Sequence, residues 1–209
     1  MSEDDPAPAI PAVPVRPIAV LDANVLVPAG LRDLMLSCAD VGVFRPVWQA
    51  EIEDEVVRNT ARLTAERHGI ELDQARAGAE AAVAQMRRAF PDACAATELW
   101  TPLVGQMVCH DKDRHVLAVA VGTKATHLVT SNIRDFPVRS RPAGVAVVKP
   151  DRFLRDRLAA TPELVVSAVE GMSVRLRNPP QSPVEIARLL AQGRLTPKFG
   201  AELLRLLDE

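Results

Sequence analysis

Short apolar runs that stop at an acid or a turn residue alternate with longer stretches of helical spacing. Ile18-Ala19-Val20-Leu21 ends at Asp22, with the length and punctuation of a buried strand. Residues 31–39 read as a short helix and 43–48 as a second strand. Helical spacing, rich in Ala and Arg, covers 50–68 and again 72–90. Residues 97–103 have the composition of a strand. Residues 111–121 read as a helix with acids in its first turn, where the helix dipole favours them. Residues 127–130 and 144–148 complete the strands. Strands alternating with helices predict an α/β sandwich around a parallel sheet, with ligands bound outside the carboxyl ends of the strands.

Beyond Pro150 the spacing is helical only, and three or four helices are expected. Thr161-Pro162-Glu163 and Thr196-Pro197 place a Thr cap before a Pro at the first helical position. Ser182-Pro183-Val184-Glu185 reads as a capping box. At the other end, residues 1–16 are acidic and then proline-rich, the composition of a disordered tail. The chain therefore divides into a tail (1–16), an α/β domain (17–149) and a helical extension (150–209).

Composition narrows the function. In 209 residues, 48% are apolar and 25% charged, as in soluble globular proteins. Five Phe, two Trp and no Tyr leave no row of aromatics on which to stack bases. A net charge of −2 provides no overall field for a polyanion or an anionic membrane. Residues 139–209 hold twelve Lys/Arg against eight Asp/Glu, so basic charge gathers in the helical end. That is a weak pointer to an RNA or acidic-partner surface, and equally the mark of a solvated Arg-rich face. Cys38, Cys94 and Cys109 form no CxxC pair and are odd in number, against a disulfide scaffold and a thiolate zinc site. A reducing cytoplasm, with no membrane span and no secretory leader, is the expectation.

The sharpest signal is acids placed beside apolar runs in four segments. Asp22 closes the first strand; Glu51, Glu53, Asp54 and Glu55 stand in the helix after Trp48; Asp111 and Asp113 open the apolar helix; Asp135 lies in the turn after Thr130. Each has a bland reading: an Asx turn, a solvated helix face, a dipole cap. Together they point to a shared pocket. Carboxylates crowd together ionised only when a cation neutralises them, and oxygen donors select a hard ion such as Mg²⁺, with Mn²⁺ as substitute.

These segments resemble the PIN-domain nucleases, and within them the VapC-like toxins of type II toxin–antitoxin systems. The carrying residues are Leu21-Asp22-Ala23-Asn24-Val25-Leu26, the acidic helix 51–58, Asp111-Lys112-Asp113-Arg114-His115-Val116-Leu117-Ala118, and Thr130-Ser131-Asn132-Ile133-Arg134-Asp135-Phe136. The helical end looks like the C-terminal extension of one VapC-like subgroup. The resemblance implies a catalytic, metal-holding set of Asp22, Glu55 (Glu51 as fallback), Asp113 and Asp135, with one or two Mg²⁺ or Mn²⁺ ions. Asn24 would orient Asp22. Thr130 would stand near a water or phosphate. Asn132 falls where many members carry Asp, which weakens a second metal site. Arg114 is a candidate phosphate contact, against the plainer reading of a salt bridge to a nearby acid. His115 is read as a packed, hydrogen-bonded residue.

The activity so implied is hydrolysis of an RNA phosphodiester, with a cognate antitoxin and a homodimer as partners. Alternatives are a PIN-like RNA-processing nuclease without an antitoxin, or a non-catalytic binding module of the same fold. An aspartyl-phosphate enzyme is disfavoured, since the residue two beyond Asp22 is Asn24 rather than a second acid.

Overall fold

The computed structural model describes residues 16–208. The expectation of a disordered tail falls, Arg16 apart, outside the described residues. Strands β1 (Ile18–Leu21), β2 (Arg45–Val47), β3 (His127–Val129) and β4 (Ala146–Val148) form a wholly parallel sheet in the order β2-β1-β3-β4. β1 is central, and Ala19, Val20 and Leu21 are fully buried. A parallel strand covered on both faces needs a continuous apolar run rather than alternation. Pro46 is tolerated in β2 because Arg45 donates its N–H to Pro17 O, so the ring of residue 46 falls on the other edge of the strand.

Helices α1 (Ala23–Leu26), α2 (Ala29–Asp40), α3 (Ala50–His68), α4 (Leu72–Ala89) and α5 (Arg114–Gly122) belong to the sheet-bearing part. α3 and α4 form a hairpin, and the small side chains of Ala61, Ala75 and Ala79 make a separate apolar cluster between them. α3 ends at Gly69, whose φ of 62° is the left-handed conformation of a helix stop.

The strand expected over 97–103 is not formed. Its place is taken by two 3₁₀ helices, Thr97–Leu99 and Thr101–Gln106. Pro102 has no N–H for a ladder and favours the start of a helical turn. The sheet-like pairing occurs earlier: Trp48 N donates to Ala93 O and Ala95 N donates to Trp48 O, a bridge centred on Cys94.

Four helices follow: α6 (Pro150–Ala160), α7 (Pro162–Arg175), α8 (Pro183–Gln192) and α9 (Pro197–Leu207). Their apolar faces join the main core, which runs without a break from β1 to Phe153, Val169, Ile186, Phe199 and Leu203. Phe153 meets Phe44 edge-on with ring centroids 5.0 Å apart, fastening α6 to the sheet side.

Only one of the three expected caps is made by its own side chain. Ser182 and Glu185 form the full capping box. Thr161 instead donates its hydroxyl to Arg157 O, 3.1 Å away in the preceding helix. Thr196 makes no side-chain cap, and Asp151 of α6 does the work for α9. Its Oδ1 accepts from the N–H groups of Lys198 at 2.9 Å and Phe199 at 3.0 Å. An acid from α6 thus satisfies the orphan donors of α9 and locks the two helices together. Asp151→Ala is expected to cost about 1 kcal/mol and Thr196→Ala distinctly less for want of a cap to lose, compared by urea midpoints.

Gly200 permits the crossing of α8 and α9. A Cβ there would lie 2.2 Å from Ala191 N and 2.6 Å from Leu190 C. Both neighbours are backbone and cannot swing aside. Gly200→Ala is expected to cost about 2–3 kcal/mol through forced separation of the helices, seen as a lowered melting temperature.

Candidate active site

The chain leaves β1 for β2 on one side, while β3 and β4 lie on the other. The carboxyl ends of β1 and β3 therefore border the crevice where such sheets bind ligands. Asp22 follows β1 and Thr130 follows β3. The N–H of Asp22 still donates to Val129 O at 3.1 Å, so the ladder fixes its backbone just as its side chain leaves the sheet.

The Asp22 carboxylate is buried. Its Oδ2 accepts from Thr130 Oγ1 at 2.6 Å and from Asn24 Nδ2 at 2.5 Å. Asn24 is itself set by Ser131, whose N–H donates to its Oδ1 at 2.8 Å. The Thr130 hydroxyl also accepts from Asn132 N at 3.0 Å. Asn24 therefore orients Asp22. Thr130 lies fully buried at the end of its strand, and its hydroxyl donates to Asp22. Burial pushes the Asp22 carboxyl above its ordinary range; the Thr130 hydrogen bond opposes this, and the charges of Glu55 and Asp113 reinforce it.

Glu55 comes from the first turns of α3 and is half-buried; its Oε1 accepts a long bond from Asn59 at 3.4 Å. Glu51, the alternative glutamate, is exposed. Glu53, which the sequence pattern left among solvated acids, is buried. It accepts Trp48 Nε1–H at 2.8 Å and Arg87 Nε and Nη2 at 2.9 and 2.5 Å. Its role is to fasten α3 to β2 and α4.

Asp113 ends a 3₁₀ turn (Asp111–Asp113) that leads into α5. Burial raises its carboxyl pKa, Lys112 opposes the rise and Asp135 adds to it. Asp113 Oδ2 is buried with no hydrogen-bond partner. Lys112 Nζ stands 3.9 Å from that oxygen and 3.7 Å from Asp135 Oδ2. Asp135 arrives on the 3₁₀ turn Ile133–Asp135 after β3. Asn132 is exposed at the head of that turn. Arg114 forms the plainer of its two expected contacts, a salt bridge of 2.8 Å to the exposed Asp111. His115 Nδ1 is hydrogen-bonded to the amide of Gln49, which is fully buried at the end of β2.

The charges of Glu55 and Asp113 act on Asp22, and that of Asp135 acts on Asp113, so acids from four chain segments influence one another electrostatically. The donor set fits a hard divalent ion: carboxylate oxygens, one of them buried and without a hydrogen bond. Among the described residues, no three His, Cys, Asp or Glu side chains already surround one point. Ionised acids repel one another, and the Lys112 ammonium occupies the edge that Asp113 shares with Asp135.

Residues 19–134, which span β1 to the turn bearing Asp135, match the PIN domain. The chain belongs to the PIN-domain family. The match takes in Asp22, Glu55 and Asp113, and stops one residue short of Asp135. Residues 150–205, the four-helix end of this PIN protein, match the VapC50 C-terminal domain. A protein of Mycobacterium tuberculosis (strain ATCC 25618 / H37Rv) named "Putative ribonuclease VapC50" is 36% identical over 108 residues, 51% of this chain and 63% of that protein. The chain therefore matches less than two thirds of that relative's length. No solved structure matches it. Among the described residues, no helix is long and apolar enough to cross a membrane.

Proposed function

We propose that the protein is a metal-dependent endoribonuclease, the toxin of a toxin–antitoxin pair. The observation that carries this reading is the buried Asp22 at the β1/β3 crevice, within electrostatic reach of Glu55 and Asp113 from two other segments of a PIN domain. The relative named as a ribonuclease supports the substrate class.

In this reading Asp22, Asp113, Asp135 and Glu55 would hold one or two Mg²⁺ ions, with Mn²⁺ as substitute. A bound ion supplies a nucleophile from water at neutral pH and neutralises charge on the phosphate oxygens. The chain's own residues organise the rest. Thr130 and Asn24 engage Oδ2 of Asp22 and fix the carboxylate. A carboxylate oxygen of the cluster would take up the proton of the water whose oxygen bonds to phosphorus, while the P–O bond to the leaving ribose oxygen breaks and that oxygen takes a proton from solvent. No Ser, Cys or Tyr nucleophile is required. Arg114 reaches phosphate only by releasing Asp111. The chain acts in the cytoplasm, as a homodimer held in check by its antitoxin.

Purified protein is expected to cleave RNA with Mg²⁺ or Mn²⁺ and to stop on addition of EDTA. Expression in a bacterial host is expected to arrest growth, with rescue by the product of the neighbouring gene. Cleavage without arrest would favour an RNA-processing nuclease, the second reading that the same site supports. Absence of cleavage with every RNA class and both ions would overturn the enzyme.

A further inference from the structure

We propose that Lys112 is a built-in counter-cation of the acidic site, which a divalent ion must displace in order to bind. The inference rests on the metal-site reading above and concerns what competes for that site.

Three features of Lys112 carry it. Its ammonium spans two of the four acids, at 3.9 Å from Asp113 Oδ2 and 3.7 Å from Asp135 Oδ2. Those distances are within ion-pair range but beyond a hydrogen bond, so Asp113 Oδ2 stays without a hydrogen-bond partner. The side chain is 62% exposed, so nothing packed around it prevents its departure. The neighbouring guanidinium of Arg114 is paired with Asp111 at 2.8 Å rather than with Asp113 or Asp135.

The competition has a definite sign. A single ammonium between two carboxylates lowers their repulsion, and exposed pairs of this kind are weak and mobile. A divalent ion brings twice the charge to the same oxygens and wins, but it must first lose the part of its attraction that Lys112 has neutralised. Removing the ammonium therefore tightens metal binding. It also leaves the metal-free acids uncompensated.

Lys112→Met preserves the length of the side chain and removes its charge; Lys112→Arg preserves the charge. Mn²⁺ is titrated calorimetrically into each full chain, without RNA and at fixed ionic strength. Lys112→Met is expected to bind Mn²⁺ about three- to tenfold more tightly than the parent, with Lys112→Arg close to the parent. The metal-free Lys112→Met protein is expected to melt lower than the parent and to gain more from saturating Mn²⁺. Equal or weaker Mn²⁺ binding by Lys112→Met overturns the inference. Asp113→Asn separates the two levels. If it loses Mn²⁺ while Lys112→Met binds as the parent does, the metal site stands and only the role of Lys112 falls. If Asp113→Asn and Asp22→Asn both bind Mn²⁺ as the parent does, or the parent binds none, the metal site falls and Lys112 falls with it.

Discussion

Asp22→Asn and Asp113→Asn are each expected to lower RNA cleavage by at least about 10²- to 10³-fold while the protein stays folded. Loss of groups that merely orient a metal ligand already costs about 10- to 100-fold, and these are the ligands themselves. The fold survives because the amide oxygen of Asn can accept the same bonds from Thr130 and Asn24 that Asp22 Oδ2 accepts. The metal-free Asp22→Asn protein should even be more stable at neutral pH. The Asp22 carboxyl lies above its ordinary value of 3.8 in the folded chain, chiefly through burial. Between those two values the folded state binds more protons than the unfolded one, so stability falls as pH rises through that window. An Asn escapes this fall. Its advantage is therefore present at neutral pH and disappears in acid below 3.8, where Asp22 is protonated in both states. Melting curves with EDTA from acid to neutral pH read the sign directly. Parent-like cleavage by either variant would refute the site assignment.

The second large effect separates two glutamates only two residues apart. Glu53→Ala is expected to cost about 2–4 kcal/mol, lowering the melting temperature by about 5–10 °C. It strands the indole N–H of buried Trp48 and leaves a cavity between α3 and β2. Loss of the Arg87 pair contributes less, because that side chain is 59% exposed and water takes over its charge. Glu55→Gln should do the opposite, with little change in melting and a large loss of cleavage. If Glu53→Ala melts as the parent does, or Glu55→Gln cleaves as the parent does, the division of labour on α3 is wrong.

Much of the architecture was legible because the core strands are short apolar runs with clear ends. Ile18 to Leu21 can be little else, and the acid that stops the run marks the strand's carboxyl end. The helical end was legible for the same kind of reason, since a Pro after Ser or Thr marks each start. What failed depended on partners distant in sequence. Residues 97–103 alternate passably as a strand, but Pro102 withholds a ladder donor and favours a helical turn. Thr196 looks like a cap, yet Asp151 does the capping. Glu53 reads as a solvated acid, although it follows Ile52 on the edge of the apolar stripe; only Trp48 and Arg87, brought in by β2 and α4, make it a core residue. Gln49 carried no motif, and Lys112 stood in the acidic block 111–118 with no role assigned to it; their contacts to His115 and to the paired acids exist only once β2, α5 and the β3 turn meet.

A crystal structure of the protein soaked in Mn²⁺ tests most directly whether acids from four segments share a divalent ion. Anomalous scattering should place at least one ion at the carboxyl ends of β1 and β3, ligated at about 2.0–2.3 Å by oxygens of Asp22 and Asp113 with Glu55 or Asp135 adjoining. Ions found only elsewhere on the surface, with Asp22 and Asp113 unligated at saturating Mn²⁺, would contradict it.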